Sequence, residues 1–214
     1  MKAICIMGES GSGKTTSLRN LDPKTTLYVD CDKKGLSWKG WRDQYSGKNE
    51  NYLQTDFPQI ALQILQKVDK SEKYKHIKVI VFDTINGLMV ADEMRRMREK
   101  GYDKWQDLAA SIYELIDYSL TVRDDLTPIF IAHTQTDHDD NGFMFTRIKT
   151  SGRKLDKITL ESKFSTVLLA KVIDGKYVFE TRSDNSTAKS PMGAFEEKDV
   201  QNDMAAVLEA LKDF

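Results

Sequence analysis

Between an apolar run at residues 2–7 and a helix-patterned stretch at 14–21 lies the segment Gly8-Glu9-Ser10-Gly11-Ser12-Gly13-Lys14-Thr15. It meets every fixed position of the spacing G-x-x-x-x-G-K-[ST]. Such a loop must turn successive backbone N–H groups inward around an anion, and glycines permit the conformations this requires. A helix starting at its end would aim its positive terminus at the same point. The spacing therefore predicts a phosphate cradle formed by Gly8, Glu9, Ser10, Gly11, Ser12, Gly13, Lys14, Thr15 and Thr16. Lys14 would place its charge near the outer phosphates, and the Thr15 hydroxyl would ligate magnesium. ATP with Mg²⁺ is the expected ligand pair.

A second carboxylate fits the same chemistry. Residues 77–82 form the most strand-like run in the chain, and Asp83 follows it. An aspartate at a strand end is commonly a turn or cap residue. After a full phosphate loop, it reads as the Walker B carboxylate, which holds magnesium through water.

Around these motifs, strands alternate with helices. Strands are expected at 2–7, 26–30, 52–55, 77–82 and 128–132. A helix is expected at 14–21, stopped by Asp22-Pro23. Another would bury Ile60, Ile64, Leu65 and Val68, and a third Trp105, Leu108, Ala109, Ile112, Leu115, Ile116 and Ser119. Residues 31–51, with Trp38 and Trp41, read as an irregular excursion. Later come a polar turn at 135–142, a strand at 143–148 and a helix at 155–163. Strands at 166–173 and 177–181 flank Asp174-Gly175, a hairpin signal. A loop at 182–195 precedes a last helix from residue 199, burying Val200, Met204, Val207, Leu208 and Leu211. This pattern predicts a single α/β domain over 1–214: a mainly parallel sheet flanked by helices, with an antiparallel hairpin extension.

Composition narrows the partners. With 32 basic and 33 acidic residues the net charge is −1, so nucleic-acid binding would need a local patch. Cys5 and Cys31 lack metal-ligand spacing and read as buried free thiols, which suits a cytoplasmic protein. No apolar stretch has the length of a membrane span, and no signal peptide is apparent.

Three stretches carry a family resemblance. Residues 79–88, ending Asp83-Thr84-Ile85-Asn86-Gly87-Leu88, resemble the Walker B stretch of bacterial RecA recombinases. Tyr28-Val29-Asp30-Cys31-Asp32 resembles that family's strand bearing the water-activating carboxylate. Thr127-Pro128-Ile129-Phe130-Ile131-Ala132-His133 resembles its γ-phosphate-sensing strand. The chain departs from the family at two positions, with Asp32 for glutamate and His133 for glutamine. Aspartate is one methylene shorter, and histidine's charge depends on pH. Asp30 competes with Asp32 as the base, and His133 can also be read as a strand-end residue satisfied by its neighbours. In size, and in Ser186-Thr187-Ala188-Lys189-Ser190-Pro191, the chain resembles core-only, RecA-like ATPases of bacteriophages grouped with single-strand annealing proteins.

That resemblance implies ATP-dependent assembly on single-stranded DNA, strand annealing in phage recombination, and a single-strand-binding protein as a further partner. Phe143, Phe145, Arg147, Lys149, Arg153 and Lys154 would bind DNA through aromatic stacking and phosphate contacts. The alternative is an ordinary solvated hairpin weakened as a patch by Asp137, Asp139 and Asp140. Arg95, Arg96, Arg98 and Lys100 fit either a DNA-facing loop or a solvated helix end. Lys189 and Arg182 are candidate fingers supplied in trans, which implies a homo-oligomer with ATP at subunit interfaces. The rival functions are a non-DNA assembly or motor ATPase and a small-molecule kinase.

Overall fold

Strands β1 (Ile4–Gly8), β2 (Thr26–Asp30) and β4 (Val79–Asp83) are buried at every position. Strands covered on both faces need no polar alternation, so each reads as a near-continuous apolar run. The computed structural model describes residues 3–101, 103–138, 141–151 and 159–214. It also contains β3 (Tyr52–Gln54), β5 (Thr127–His138), β6 (Met144–Ile148), β7 (Thr166–Ile173), β8 (Lys176–Glu180) and β9 (Asp199–Gln201). Together they form a nine-stranded sheet in the order β3-β2-β4-β5-β1-β7-β8-β9, with β6 paired to β5. Neighbours from β3 to β7 run parallel, while β8, β9 and β6 join antiparallel. The expected mixed α/β fold with an antiparallel extension is the observed one.

Two cores result from the strand alternation. Cys5, Met7, Leu27, Val29, Ile80 and Phe82 face α2 (Pro58–Lys70), α3 (Ile85–Arg95) and α4 (Asp103–Ser119). Ile4, Ile6, Tyr28, Val81, Ile129 and Ile131 face the other side. There they pack on Leu18, Leu21, Tyr45 and the last helix, α5 (Met204–Ala210). Both cysteines are buried and free. Among the described residues, no helix is long and apolar enough to cross a membrane.

Several elements differ from expectation. The helix expected at 14–21 is a single 3-10 turn, Thr16–Leu18. Its backbone bonds run i to i−3, from Leu18 N to the Thr15 carbonyl and from Arg19 N to the Thr16 carbonyl, and Asp22-Pro23 follows closely. In α2 the buried stripe is Pro58, Ala61, Leu65 and Val68, whereas Ile60 is 42% exposed. Small Ala61 centres the stripe and leaves Ile60 about 100° away from it. Trp105 lies at the rim of α4 and is 36% exposed. Polar residues 135–138 continue β5 because β6 pairs with them on a half-solvated ribbon.

The helix expected at 155–163 falls partly outside the described residues, and Leu160–Lys163 form a 3-10 turn. Val200 lies in β9, paired with Phe179, so the last helix begins later. There the Asp203 side chain caps it by accepting from Ala205 N at 3.0 Å. The 31–51 excursion contains α1 (Trp41–Gln44). Its Trp38 and Trp41 pack on Tyr45 and Tyr52 respectively.

Candidate functional site

Sheet register brings the candidate groups together at the carboxyl ends of the parallel strands, where open α/β sheets bind ligands. Gly8 ends β1 opposite His133 of β5 and Ala170 of β7. Asp30 ends β2 opposite Asp83 of β4. The loop leaves β1 under tight constraint. A Cβ on Gly8 would lie 2.5 Å from Ser12 Oγ and 2.6 Å from the Ala170 carbonyl. Gly13 has φ 89°, and a Cβ there would lie 2.8 Å from Tyr177 Cδ1. Glycine is required at both places, by space at the first and by backbone conformation at the second.

Lys14 folds back over the loop. Its Nζ donates to the Gly8 and Glu9 carbonyls at 2.8 and 2.7 Å. Burial lowers its pKa to about 8, against the opposing pull of Asp83. Thr15 Oγ1 donates to Asp83 Oδ2 at 2.7 Å, and the buried Tyr28 hydroxyl donates to the same oxygen at 2.5 Å. Asp83 Oδ1 is buried with no partner. Burial holds the Asp83 pKa above the usual carboxylate range, although the Tyr28 bond opposes the shift. An orphaned carboxylate oxygen beside a threonine hydroxyl is a hard-oxygen donor pair that fits Mg²⁺. Among the described residues no group of three or more His, Cys, Asp or Glu could hold a metal ion. A two-residue set suits magnesium, which keeps waters and takes substrate phosphates as its remaining ligands.

The stretch after Asp83 is built around Asp32. Thr84 Oγ1 donates to Asp32 Oδ1 at 3.0 Å, and a Cβ on Gly87 would come within 2.2 Å of that oxygen. Lys34 Nζ lies 2.5 Å from Asp32 Oδ2. The competing Asp30 is engaged elsewhere: its Oδ2 accepts from the Tyr52 hydroxyl, Gly35 N and Gln54 Nε2 at 2.6, 2.8 and 3.2 Å. It braces the edge strand and the 31–35 turn, whereas Asp32 is tied to a side chain that lines the cleft.

That cleft holds about 750 Å³ above the loop. Lys14, Thr15, Lys34 and His133 line it, as do Tyr177 and Asn202, which stand against Gly13. The match to a family model agrees with this geometry: residues 2–192 fit the model described as an AAA domain.

The chain belongs to the AAA domain family.

It is accordingly a P-loop ATPase of AAA type in the coarse sense that this family defines. No curated protein matches the chain in sequence. Among solved structures, the P4 protein of bacteriophage phi6, in complex with ADP, is similar at 14% identity and a TM-score of 0.41. The similarity covers 84% of this chain and 54% of that one, so the present chain spans about half the length of the P4 protein.

In this AAA domain His133 lines the cleft with its pKa lowered, first by burial and then by the charge of Lys14. Its backbone is locked to two other segments. Asn86 Oδ1 accepts from His133 N at 2.7 Å, while Asn86 Nδ2 donates to the Lys149 carbonyl at 2.7 Å. Lys149 N closes the ring on the His133 carbonyl at 2.7 Å. The candidate sensor strand is thus bonded directly to the end of β6, which carries the candidate DNA residues.

Of those residues, Phe143 is 73% exposed and Phe145 is half-buried. Arg147 pairs with Asp137, so one of the acids expected to weaken the patch is engaged with a member of it. Arg153, Lys154, Asp139 and Asp140 lie outside the described residues. The candidate fingers stand apart from their own chain's cleft. Arg182 donates to the Glu196 carbonyl at 3.0 Å, and Lys189 forms a backbone bridge to Val167. At the helix end, Arg95 pairs with Asp56 and stacks over Phe57, while Arg96 pairs with Glu99 and Asp107.

Sequence reasoning missed Lys34, Tyr28, Tyr177 and Asn202. Tyr28 lies within a motif stretch and was legible there, whereas Lys34 is distinguished from Lys33 only by the turn that holds them. Tyr177 and Asn202 reach the cleft only through the β7–β8–β9 pairing, which no local pattern encodes.

Proposed function

We propose that this protein is a magnesium-dependent ATPase that works on single-stranded DNA as a homo-oligomer. The observation that carries the hydrolase reading is the Thr15–Asp83 contact, with Asp83 Oδ1 buried and unpartnered behind a cleft that Lys14 and Thr15 line. Loop amides and Lys14 would bind the phosphates, and Thr15 and Asp83 would hold Mg²⁺. When bound, the ion supplies charge neutralisation across the outer phosphates. Asp32 would orient and deprotonate the attacking water, and His133, whose pKa burial lowers in the nucleotide-free protein, would contact the γ-phosphate. Tyr177 and Asn202, which line the cleft beside Gly13, would receive the base. On that reading Tyr177→Ala weakens ADP binding about tenfold and leaves inorganic tripolyphosphate binding unchanged, as titration calorimetry would show. Equal loss of both ligands would place the base elsewhere.

The DNA reading is supported by the Asn86 ring that joins His133 to Lys149. Through it, occupancy of the γ-phosphate position would bias the position of β6 and its exposed Phe143. Strand annealing, phage recombination and a single-strand-binding partner rest on the resemblance described above. Lys189 and Arg182, which do not line their own chain's cleft, would act on a neighbouring subunit's ATP. The test is ATP hydrolysis with and without single-stranded DNA, at low and high salt. Stimulation that fades with salt is the expected result, because phosphate contacts release counterions. Hydrolysis indifferent to DNA, without detectable binding, would favour an assembly or motor ATPase of the same fold.

A further inference from the structure

The turn after β2 presents one cation that the mechanism above does not use. Residues 31–35 fold tightly: Lys33 has φ 58°, Gly35 has φ 78°, and Gly35 N is held by Asp30. This winding sends consecutive lysines to different places. Lys33 reaches Asp56 at 2.8 Å, away from the loop. Lys34 lines the cleft with Lys14 and His133, and its ammonium rests on Asp32 Oδ2.

Asp32 is therefore occupied on both oxygens, by Thr84 on Oδ1 and by Lys34 on Oδ2. A carboxylate clamped by an ammonium is a poor acceptor for a proton from water. The Lys34 side chain, however, is 47% exposed, so it can move without breaking a packed core. A terminal phosphate carries more charge than one carboxylate, and it would compete for the ammonium at short range.

We propose that Lys34 is a catalytic cation supplied within the chain, which holds Asp32 in the nucleotide-free protein and transfers to the γ-phosphate when a nucleoside triphosphate binds. The transfer frees Asp32 Oδ2 at the moment a γ-phosphate is present. Water then attacks the γ-phosphorus, and its oxygen forms the new P–O bond. The bond from that phosphorus to the β–γ bridging oxygen breaks, and the electron pair leaves with the diphosphate. The proton lost by water passes to Asp32 and then to solvent. A nucleoside diphosphate offers no γ-oxygen to draw Lys34 away, so the base stays blocked until a triphosphate arrives.

This proposal rests on the ATPase reading, and the test separates the two. Wild type, Lys34→Met and Lys34→Arg are compared in steady-state ATP hydrolysis and in titrations with ADP and with the β,γ-imido analogue of ATP. The expected result for Lys34→Met is a fall in kcat of about 10²-fold, the scale of losing one preorganised charge at the transition state. ADP affinity stays within about twofold, because the diphosphate does not engage Lys34, while preference for the imido analogue over ADP shrinks by about tenfold. Lys34→Arg restores part of kcat. A Lys34→Met protein with wild-type kcat would overturn the proposal, as would one that loses ADP and analogue affinity equally. Wild-type protein that binds neither nucleotide would instead overturn the ATPase reading itself.

Discussion

Gly87 shows how much of the site depends on one missing side chain. In an exposed helix, Gly→Ala normally stabilises by about 1 kcal/mol. Here a Cβ would lie 2.2 Å from Asp32 Oδ1 and 2.9 Å from the Cys31 carbonyl, and the second of these is backbone. Gly87→Ala is therefore expected to destabilise the fold by about 1–3 kcal/mol and to lower kcat by displacing Asp32. Urea unfolding and steady-state hydrolysis would check it, and a stabilised, fully active variant would refute the packing argument. Lys14 gives a pH dependence of definite sign. Burial puts its pKa in the free protein at about 8, and a bound phosphate would favour the charged form. ADP affinity should then be flat below pH 8 and fall as pH rises above it, by up to about tenfold per unit. Affinity rising above pH 8 would contradict a charged Lys14 at the phosphates. The loop residues and Asp83 were legible because the chemistry fixes residue types at fixed spacing. Lys34 was not, because nothing local separates it from Lys33. Only the turn, with Lys33 at φ 58°, sends one inward and the other outward.

Helix α2 shows what periodicity resolves and what it leaves open. The run at 58–70 reads as a helix by spacing alone, yet two overlapping stripes compete to face the core. Packing against the sheet and α4 selects Ala61, Leu65 and Val68 over Ile60. Leu65→Ala is expected to cost about 2–5 kcal/mol and Ile60→Ala under about 0.5 kcal/mol, measured by chemical unfolding. Similar costs at the two positions would contradict the assigned face. Buried parallel strands were readable for a related reason: solvent touches neither face, so apolar residues run on without interruption. The polar half of β5 was not, because residues 135–138 owe their strand conformation to β6 across the ribbon. The 3-10 turn after the loop also escaped prediction. Its backbone bonds run from Leu18 N to the Thr15 carbonyl and from Arg19 N to the Thr16 carbonyl, and Asp22-Pro23 leaves no room for a longer helix.

At the scale of the whole molecule, the sheet order decides which distant residues meet. β1 sits between β5 and β7, which places the loop between His133 on one side and Ala170 on the other. β8 and β9 then carry Tyr177 and Asn202 to the cleft beside Gly13. Two cores, one on each sheet face, hold this frame rigid while the groups of the candidate site stand at the strand ends. The Asn86 ring continues the connection to β6, so a nucleotide event has a bonded route to the exposed ribbon. Hydrolysis requires the loop and Asp83 to act on one nucleotide. Phosphate release from ATP by wild type, Lys14→Ala and Asp83→Asn, each with and without Mg²⁺, tests this most directly. The expected result is magnesium-dependent release by wild type and a loss of about 10²-fold or more in both variants. Release that is unchanged by either substitution, or by removing magnesium, would contradict the account.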